Sequence, residues 1–361
     1  MVWVHFHQEM RLDVTGWQDW VGWFVYIFVE QKAWGTFAFL FGVGFAVLLR
    51  RLDARGEPAV PIYLRRMAAL AVIGILMDVF FGFQVLFTYA CGGVLLLLVR
   101  RWSTRALLAL GVFSAMARPV AVVVTALVAK LSHTPRPPNP LMALTQAVEA
   151  ASHQSHYWPL VAARWHVFTA PFSWRVLLPD VNLALFIVGL LAVRYGIFDA
   201  PLKHVRMIRG WMIFGFVSWA FCWAVVTQLP DPSFPALWFG YIAFGLVQEQ
   251  WLTFFYVGAL VLILAKWPQW TARLRPIGQA GRMALTNYVL QCVVIDALAS
   301  GYGAGLRLTP PVYTVCAFAL FGIQVALSMA WLSRFRFGPV EWLWRMITYW
   351  RAVPIRRAAE S

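Results

Sequence analysis

The sequence predicts an all-α protein, a polytopic transmembrane helix bundle of about nine spans with an N-terminal interfacial helix. Three observations lead there. Hydrophobic residues make up 61% of the chain and charged residues 12%, with a mean hydropathy of +0.69, too apolar for a water-soluble globule. Apolar runs long enough to cross a hydrocarbon core, roughly 20 residues as helix, recur along the length. The basic residues are confined to particular connections: segments 50–66, 100–105, 194–210 and 266–283, with the tail after 333, hold 22 of the 30 Lys and Arg. The net charge of +15 therefore reads as membrane topology, with the lipid bilayer as partner, and not as a nucleic-acid surface.

Taken in order, residues 1–16 are polar and lack the apolar core of a cleavable signal. Trp20 to Val29 gives only ten apolar residues, which suits an interfacial helix, so 1–33 forms an N-terminal segment ahead of the bundle. Spans are expected near 34–49, 67–83, 84–99, 106–130, 176–193, 211–228, 237–265, 284–304 and 311–332. Gln248-Glu249-Gln250 interrupts 237–265, which is one tilted or broken helix, or a re-entrant piece followed by a span. The basic connections share one side only if that segment crosses an odd number of times, and one crossing is the simpler reading. This puts the C-terminal tail, 333–361, in the cytoplasm and the N-terminus outside. The bundle, 34–332, carries one substantial external segment, 131–175, with a proline-stiffened start at 134–140 and an amphipathic helix from Leu141 to His156. All four cysteines lie in apolar segments, so neither a disulfide framework nor a zinc site is expected.

Ionisable groups within spans cost about 2.5–3.5 kcal/mol on insertion scales and each needs a reason. Asp78, Arg118, Glu249 and Asp296 stand out. At about 1.5 Å per residue, Arg118 and Asp296 both fall roughly 20 Å beyond their basic flanks, with Glu249 somewhat further out. Such a cluster serves catalysis, with Asp296 or Glu249 as general base and Arg118 stabilising an oxyanion. Alternatively it is a buried Arg–Asp pair that fixes helix packing. Pro119 is expected to kink the Arg118 helix, and Asp78 lies near enough to its span's end to reach interfacial water. Asn287 and Gln291 share a helical face, with Thr286 and Tyr288 alongside. They either bond between helices or line a substrate channel for which Arg282, at a helix N-terminus, is an anion anchor. Glu149, His153 and His156 would share a face if 141–156 is one helix, a spacing able to bind a metal, although surface histidines are more often solvated. His5 and His7 carry less weight still. Glu341 and Arg345 are four apart and suit a local salt bridge.

Two stretches carry a family resemblance. Gly281-Arg282-Met283-Ala284-Leu285-Thr286-Asn287-Tyr288 and Phe335-Arg336-Phe337-Gly338-Pro339-Val340-Glu341-Trp342-Leu343-Trp344-Arg345 closely resemble the signature of the YeiB-like family of bacterial membrane proteins (domain of unknown function 418). Gln31 to Gly44 looks like that family's lysine-led, glycine-punctuated first block, and Gly74 and Tyr89-Ala90 sit where a second would fall. The resemblance implies a bacterial inner-membrane bundle distantly similar to multi-pass acyltransferases, with an acyl donor from the cytoplasm and an envelope acceptor. It names no cofactor. The chain also departs from the pattern: Met77 stands near an expected histidine, Phe83-Gln84 replaces a Gly-Asp pair, and residues 1–16 lack the Asp-x-x-Arg-Gly motif of a further first helix. Three classes of function follow: an acyl-transfer enzyme, a transporter, and a non-catalytic membrane partner.

Overall fold

The computed structural model describes residues 2–10, 17–83, 85–132, 140–170, 181–228 and 235–357. Among them the regular structure is helical: α1 Val2–Met10, α2 Trp17–Val25, α3 Gln31–Ala54, α4 Ala59–Phe81, α5 Val85–Val99, α6 Thr104–Leu131, α7 Pro140–Ser152 and α8 Tyr157–Thr169. There follow α9 Val181–Arg194, α10 Val205–Gln228, α11 Pro235–Lys266, α12 Gln269–Arg273, α13 Arg275–Arg282, α14 Ala284–Ala299, α15 Pro310–Arg334 and α16 Pro339–Tyr349. Each of the nine apolar segments read from the sequence contains a helix among its described residues, with 84 and 176–180 lying outside them. Among the described residues two helices, Trp20–Ala54 and Pro310–Arg334, are long and apolar enough to cross a membrane by length and composition.

The helix boundaries have local causes. Ser103 precedes α6 and its Oγ accepts the Ala106 N–H at 3.3 Å, a side-chain N-cap. α15 and α16 open on proline, where the missing N–H is one the first turn could not have paired. α4 ends at Gly82, whose φ of 78° turns the chain left-handed while its N–H bonds Asp78 O at 2.8 Å and that of Phe83 bonds Met77 O at 3.2 Å.

Two expectations change. The ten apolar residues at 20–29 do not form a separate interfacial helix: α2 runs through a π-turn at Tyr26–Glu30 straight into α3, because no Gly or Pro breaks the stretch from Val25 to Ala33. The polar N-terminal segment contributes a helix, α1. α1 packs on α14 and α15, burying Val2, Phe6 and Met10 against Ile295, Tyr313 and their neighbours. The segment 131–175 contains two helices, α7 and α8, instead of one. The ambiguity at 248–250 also resolves. α11 is a single continuous helix through those polar residues.

The core sits where α3, α4, α5 and α9 meet. Phe41, Tyr89 and Phe186 pack their rings at centroid distances of 4.7–5.4 Å, and Tyr89 Oη donates to Trp34 O at 3.3 Å. α3 and α9 approach backbone to backbone. A Cβ at Gly42 would stand 2.1 Å from Phe186 O, and one at Gly189 would stand 2.3 Å from Phe39 O. Small residues at such crossings let dispersion contacts accumulate between helices. Gly42→Val or Gly189→Val must force the pair apart, at no less than the roughly 1–3 kcal/mol typical of core overpacking. We expect both to lower the yield and thermal midpoint of the purified protein, while Gly44→Ala, with open space around its Cβ, leaves them unchanged or slightly raised.

Candidate functional site

α14 organises two polar sites, one at each end. At its N-terminal end Glu341, from the first turn of α16, reaches back across the chain. Its Oε1 accepts the backbone N–H groups of Leu285 (2.6 Å) and Thr286 (2.9 Å), and its Oε2 accepts the Thr286 hydroxyl at 2.5 Å. Thr286 Oγ1 in turn accepts the Val340 N–H at 3.1 Å. Each helix start is thus capped by a side chain of the other, and the carboxylate meets the positive end of the α14 dipole. A Cβ at Gly338 would lie 2.2 Å from Glu341 Oε2 and 2.7 Å from Thr286 Oγ1, so the turn before α16 requires glycine.

This arrangement reassigns several residues. The α14 N-terminus does attract an anion, but the anion is Glu341. Arg282 is exposed and spends its guanidinium on Gln279 Oε1 and Arg336 O, both at 3.3 Å. Glu341 is not paired with Arg345, whose guanidinium lies 4.4 Å over the Phe337 ring. Asn287 bonds Ala280 O (3.1 Å) and Ser328 Oγ (3.0 Å), and Gln324 donates to Asn287 O at 2.8 Å, so this residue ties α14 to α15. Trp344 Nε1 donates to Arg66 O at 2.9 Å beneath the Arg66 guanidinium, locking α16 onto α4.

Toward its C-terminal end α14 carries Asp296, 4% exposed, paired with Arg164 of α8, 8% exposed. Arg164 Nη2 reaches Asp296 Oδ1 at 2.6 Å and Nη1 reaches Oδ2 at 3.4 Å. Ser300 Oγ (3.0 Å) and Tyr302 Oη (2.7 Å) donate to the same carboxylate. Arg164 Nη1 also donates to Phe80 O at 2.7 Å, a carbonyl that the Tyr157 hydroxyl shares at 3.0 Å. The left-handed Gly82 leaves room for the guanidinium: a Cβ there would sit 3.2 Å from Arg164 Nε. Burial, reinforced by Asp296, pushes the Tyr157 phenol up from its ordinary range.

The helices around this pair also bury polar atoms that lack an ordinary hydrogen bond. Arg164 Nε, the Tyr288 hydroxyl, Gln291 Oε1 and both ring nitrogens of His5 make no hydrogen bond of ordinary geometry. His5 is fully buried, its ring 4.5 Å from that of Phe83 and 5.7 Å from that of Tyr288. Asp78, also buried, lies within electrostatic range of both Arg164 and Tyr288, and Glu9 within range of Arg164 and Asp296. Buried orphans of this kind are rare and call for an explanation.

The expected partnership of Arg118 with Asp296 is therefore corrected. Arg118 is exposed on α6, which packs on α9 and α11, whereas α14 packs on α1, α4 and α16. Glu249 lies on α11, and its side chain falls outside the described residues. Glu149, His153 and His156 do not share a helical face, because α7 stops at Ser152, and all three are exposed. One contributor, Arg164, escaped the sequence reading, and another, His5, carried little weight in it. Arg164 had a signal: Leu160, Val161 and Arg164 fall at i, i+1 and i+4, one face of a helix. His5 had none, since its burial depends on α1 docking against distant helices.

The fold and site define a class first, an all-helical bundle closed by buried polar contacts at both ends of one helix. Comparison adds a likeness: residues 192–351 match the family described as Protein of unknown function (DUF418). The chain is 28% identical over 353 residues to an "Uncharacterized 39.9 kDa protein in amylase 3'region" of Bacillus acidopullulyticus, covering 94% of this chain and 86% of that protein. It is 27% identical over 346 residues to the "Uncharacterized protein YxaH" of Bacillus subtilis (strain 168), covering 91% and 82%. Against the "Uncharacterized protein YeiB" of Escherichia coli (strain K12) it is 33% identical over 144 residues, 38% of this chain and 32% of that one. No solved structure matches the chain significantly.

Removing one member of a buried ion pair strands the other, which costs about 3–5 kcal/mol, whereas replacing both by apolar residues is often neutral. Arg164→Met and Asp296→Leu should each destabilise strongly in thermal unfolding, and the double variant should regain most of the loss. At the other end, Thr286→Val and Glu341→Gln should be non-additive, with a coupling of roughly 0.5–3 kcal/mol in a double-mutant cycle.

Proposed function

We propose that this chain is a nine-span integral protein of the bacterial plasma membrane, with its C-terminus in the cytoplasm, acting as an acyl-transfer enzyme on an envelope or small-molecule acceptor. The nine apolar helices, and the gathering of Lys and Arg in the connections on one side, support the topology. On this reading the basic connection before α14 is cytoplasmic, and the Arg164–Asp296 pair lies toward the outer face.

The observation that carries the enzyme reading is the buried Arg164–Asp296 pair together with the buried His5 ring nitrogens, Gln291 Oε1 and Arg164 Nε, which make no hydrogen bond. Acyl transfer from a thioester breaks a C–S bond and forms a C–O bond, while the acceptor hydroxyl loses a proton that the departing thiolate gains. That chemistry needs a base for the proton, a donor for the negative charge on the carbonyl oxygen, and a site shielded from water. His5 supplies an uncommitted imidazole and Arg164 an uncommitted Nε–H. Asp296, with four donors converging on its carboxylate, serves as the positioning residue that orients Arg164 instead of as the base. The same saturation favours a second reading, a non-catalytic membrane partner in which the cluster only docks α8.

Purified membranes given radiolabelled acetyl-CoA and an envelope extract separate the two. We expect transfer above background in the wild type, and a loss of about 100-fold or more in His5→Gln and Asp296→Asn at matched abundance. Signals at background in all three would favour the partner reading. A C-terminal reporter active only outside the cytoplasm would overturn the topology.

A further inference from the structure

Far from the polar cluster, α3, α6, α9, α10 and α11 leave a groove of about 210 Å³. Its floor is apolar and buried, formed by Leu191, Ala192 and Ile208, while its rim residues Leu108, Phe198, Met207 and Trp211 are exposed. The groove runs from Phe254 to Val261 along α11 and from Val188 to Tyr195 beside α9, roughly 10 Å in each case at helical rise. Its one polar end is where Tyr195 Oη donates to Thr104 Oγ1 at 3.2 Å. A slot that is apolar along its length and polar at one end has the polarity of a single lipid molecule.

The charge around that polar end selects the headgroup. Segments 100–105 and 194–210 bring seven Lys and Arg and a single acidic residue, Asp199. Asp199 is already taken by Arg50, at 2.7 and 3.2 Å, and the hydrogen bond and charge of Arg50 hold its carboxyl below the usual range. Arg194 is fixed beside the opening by Trp102 O (3.1 Å) and Arg100 O (2.7 Å), and Arg105 and Arg206, each next in sequence to a groove residue, are exposed. These cations face no uncommitted carboxylate from their own segments. A negatively charged phosphate meets both the fixed charge and the hydroxyl pair.

We propose that this groove binds one acyl chain of an anionic phospholipid of the cytoplasmic leaflet, with its phosphate held by Arg105, Arg194 and Arg206. The inference rests on the membrane reading above, and not on the acyl-transfer chemistry. Binding of a ligand to the folded state alone raises the unfolding midpoint, so thermal unfolding of the full chain in detergent reports it. The probes are phosphatidylglycerol, phosphatidylcholine of the same chains, and oleic acid. We expect phosphatidylglycerol to raise the wild-type midpoint more than phosphatidylcholine. Val188→Phe, which fills the groove, and Leu108→Trp, which covers its rim, should abolish that difference, and Arg105→Gln with Arg206→Gln should reduce it to the phosphatidylcholine level. Equal responses to both phospholipids in the wild type, or an unchanged preference in both filled variants, would overturn the proposal. So would a full shift from oleic acid alone, which would make this a fatty-acid site. Release of the protein from native membranes by alkaline carbonate is a separate check, and would refute the membrane reading itself.

Discussion

A buried charge cannot be left alone, and much of one end of this molecule follows from Asp296. Its carboxylate lies among apolar helices, where an unpaired ion costs several kcal/mol. The cation that answers it comes not from the bundle but from α8, in the long connection between α6 and α9. Once Arg164 is committed, the rest is constrained. α8 must lie against α4, the α4 helix must end in a left-handed glycine to admit the guanidinium, and Tyr157 and Tyr302 must close over the pair with ring centroids 4.8 Å apart. The Gly301 N–H bonds Ser152 O at 2.7 Å, so the end of α7 is held by the same cluster.

The opposite end of α14 uses the same electrostatics in a different form. There the partial charge of a helix start, not a full charge, is matched by Glu341, and Thr286 returns the favour to α16. The two stretches that carry the family resemblance thus meet in space as one reciprocal cap. Glycine at 338, threonine at 286 and glutamate at 341 are required by a single geometry, which explains their spacing of about fifty residues without invoking a substrate. The other end differs in burying polar atoms that make no hydrogen bond.

How far this could be read in advance differs by level. Helix positions were legible because long apolar runs permit little else, and even the polar interruption at 248–250 sits within one helix. Asp296 was legible as an anomaly in an apolar run, but its partner was not. Depth counted along α6 pointed to Arg118, yet depth says nothing of which way a side chain faces, and α6 turns Arg118 outward. The true partner came from a segment read as external, where an arginine is ordinary. His5 shows the same limit, since a short N-terminal helix declares its burial only through the surfaces that receive it. Glu341 is the instructive middle case. The anion-binding character of the site at the start of α14 was foreseeable from helix electrostatics, but the chain itself supplies the anion.

The account turns on Arg164 and Asp296 holding the long connection onto the bundle. Hydrogen–deuterium exchange of the purified protein, wild type against Asp296→Asn, tests this directly. We predict that the amides of 157–169 lose most of their protection in the variant while those of α3 and α9 keep theirs. Protection of 157–169 unchanged by the substitution would contradict the account.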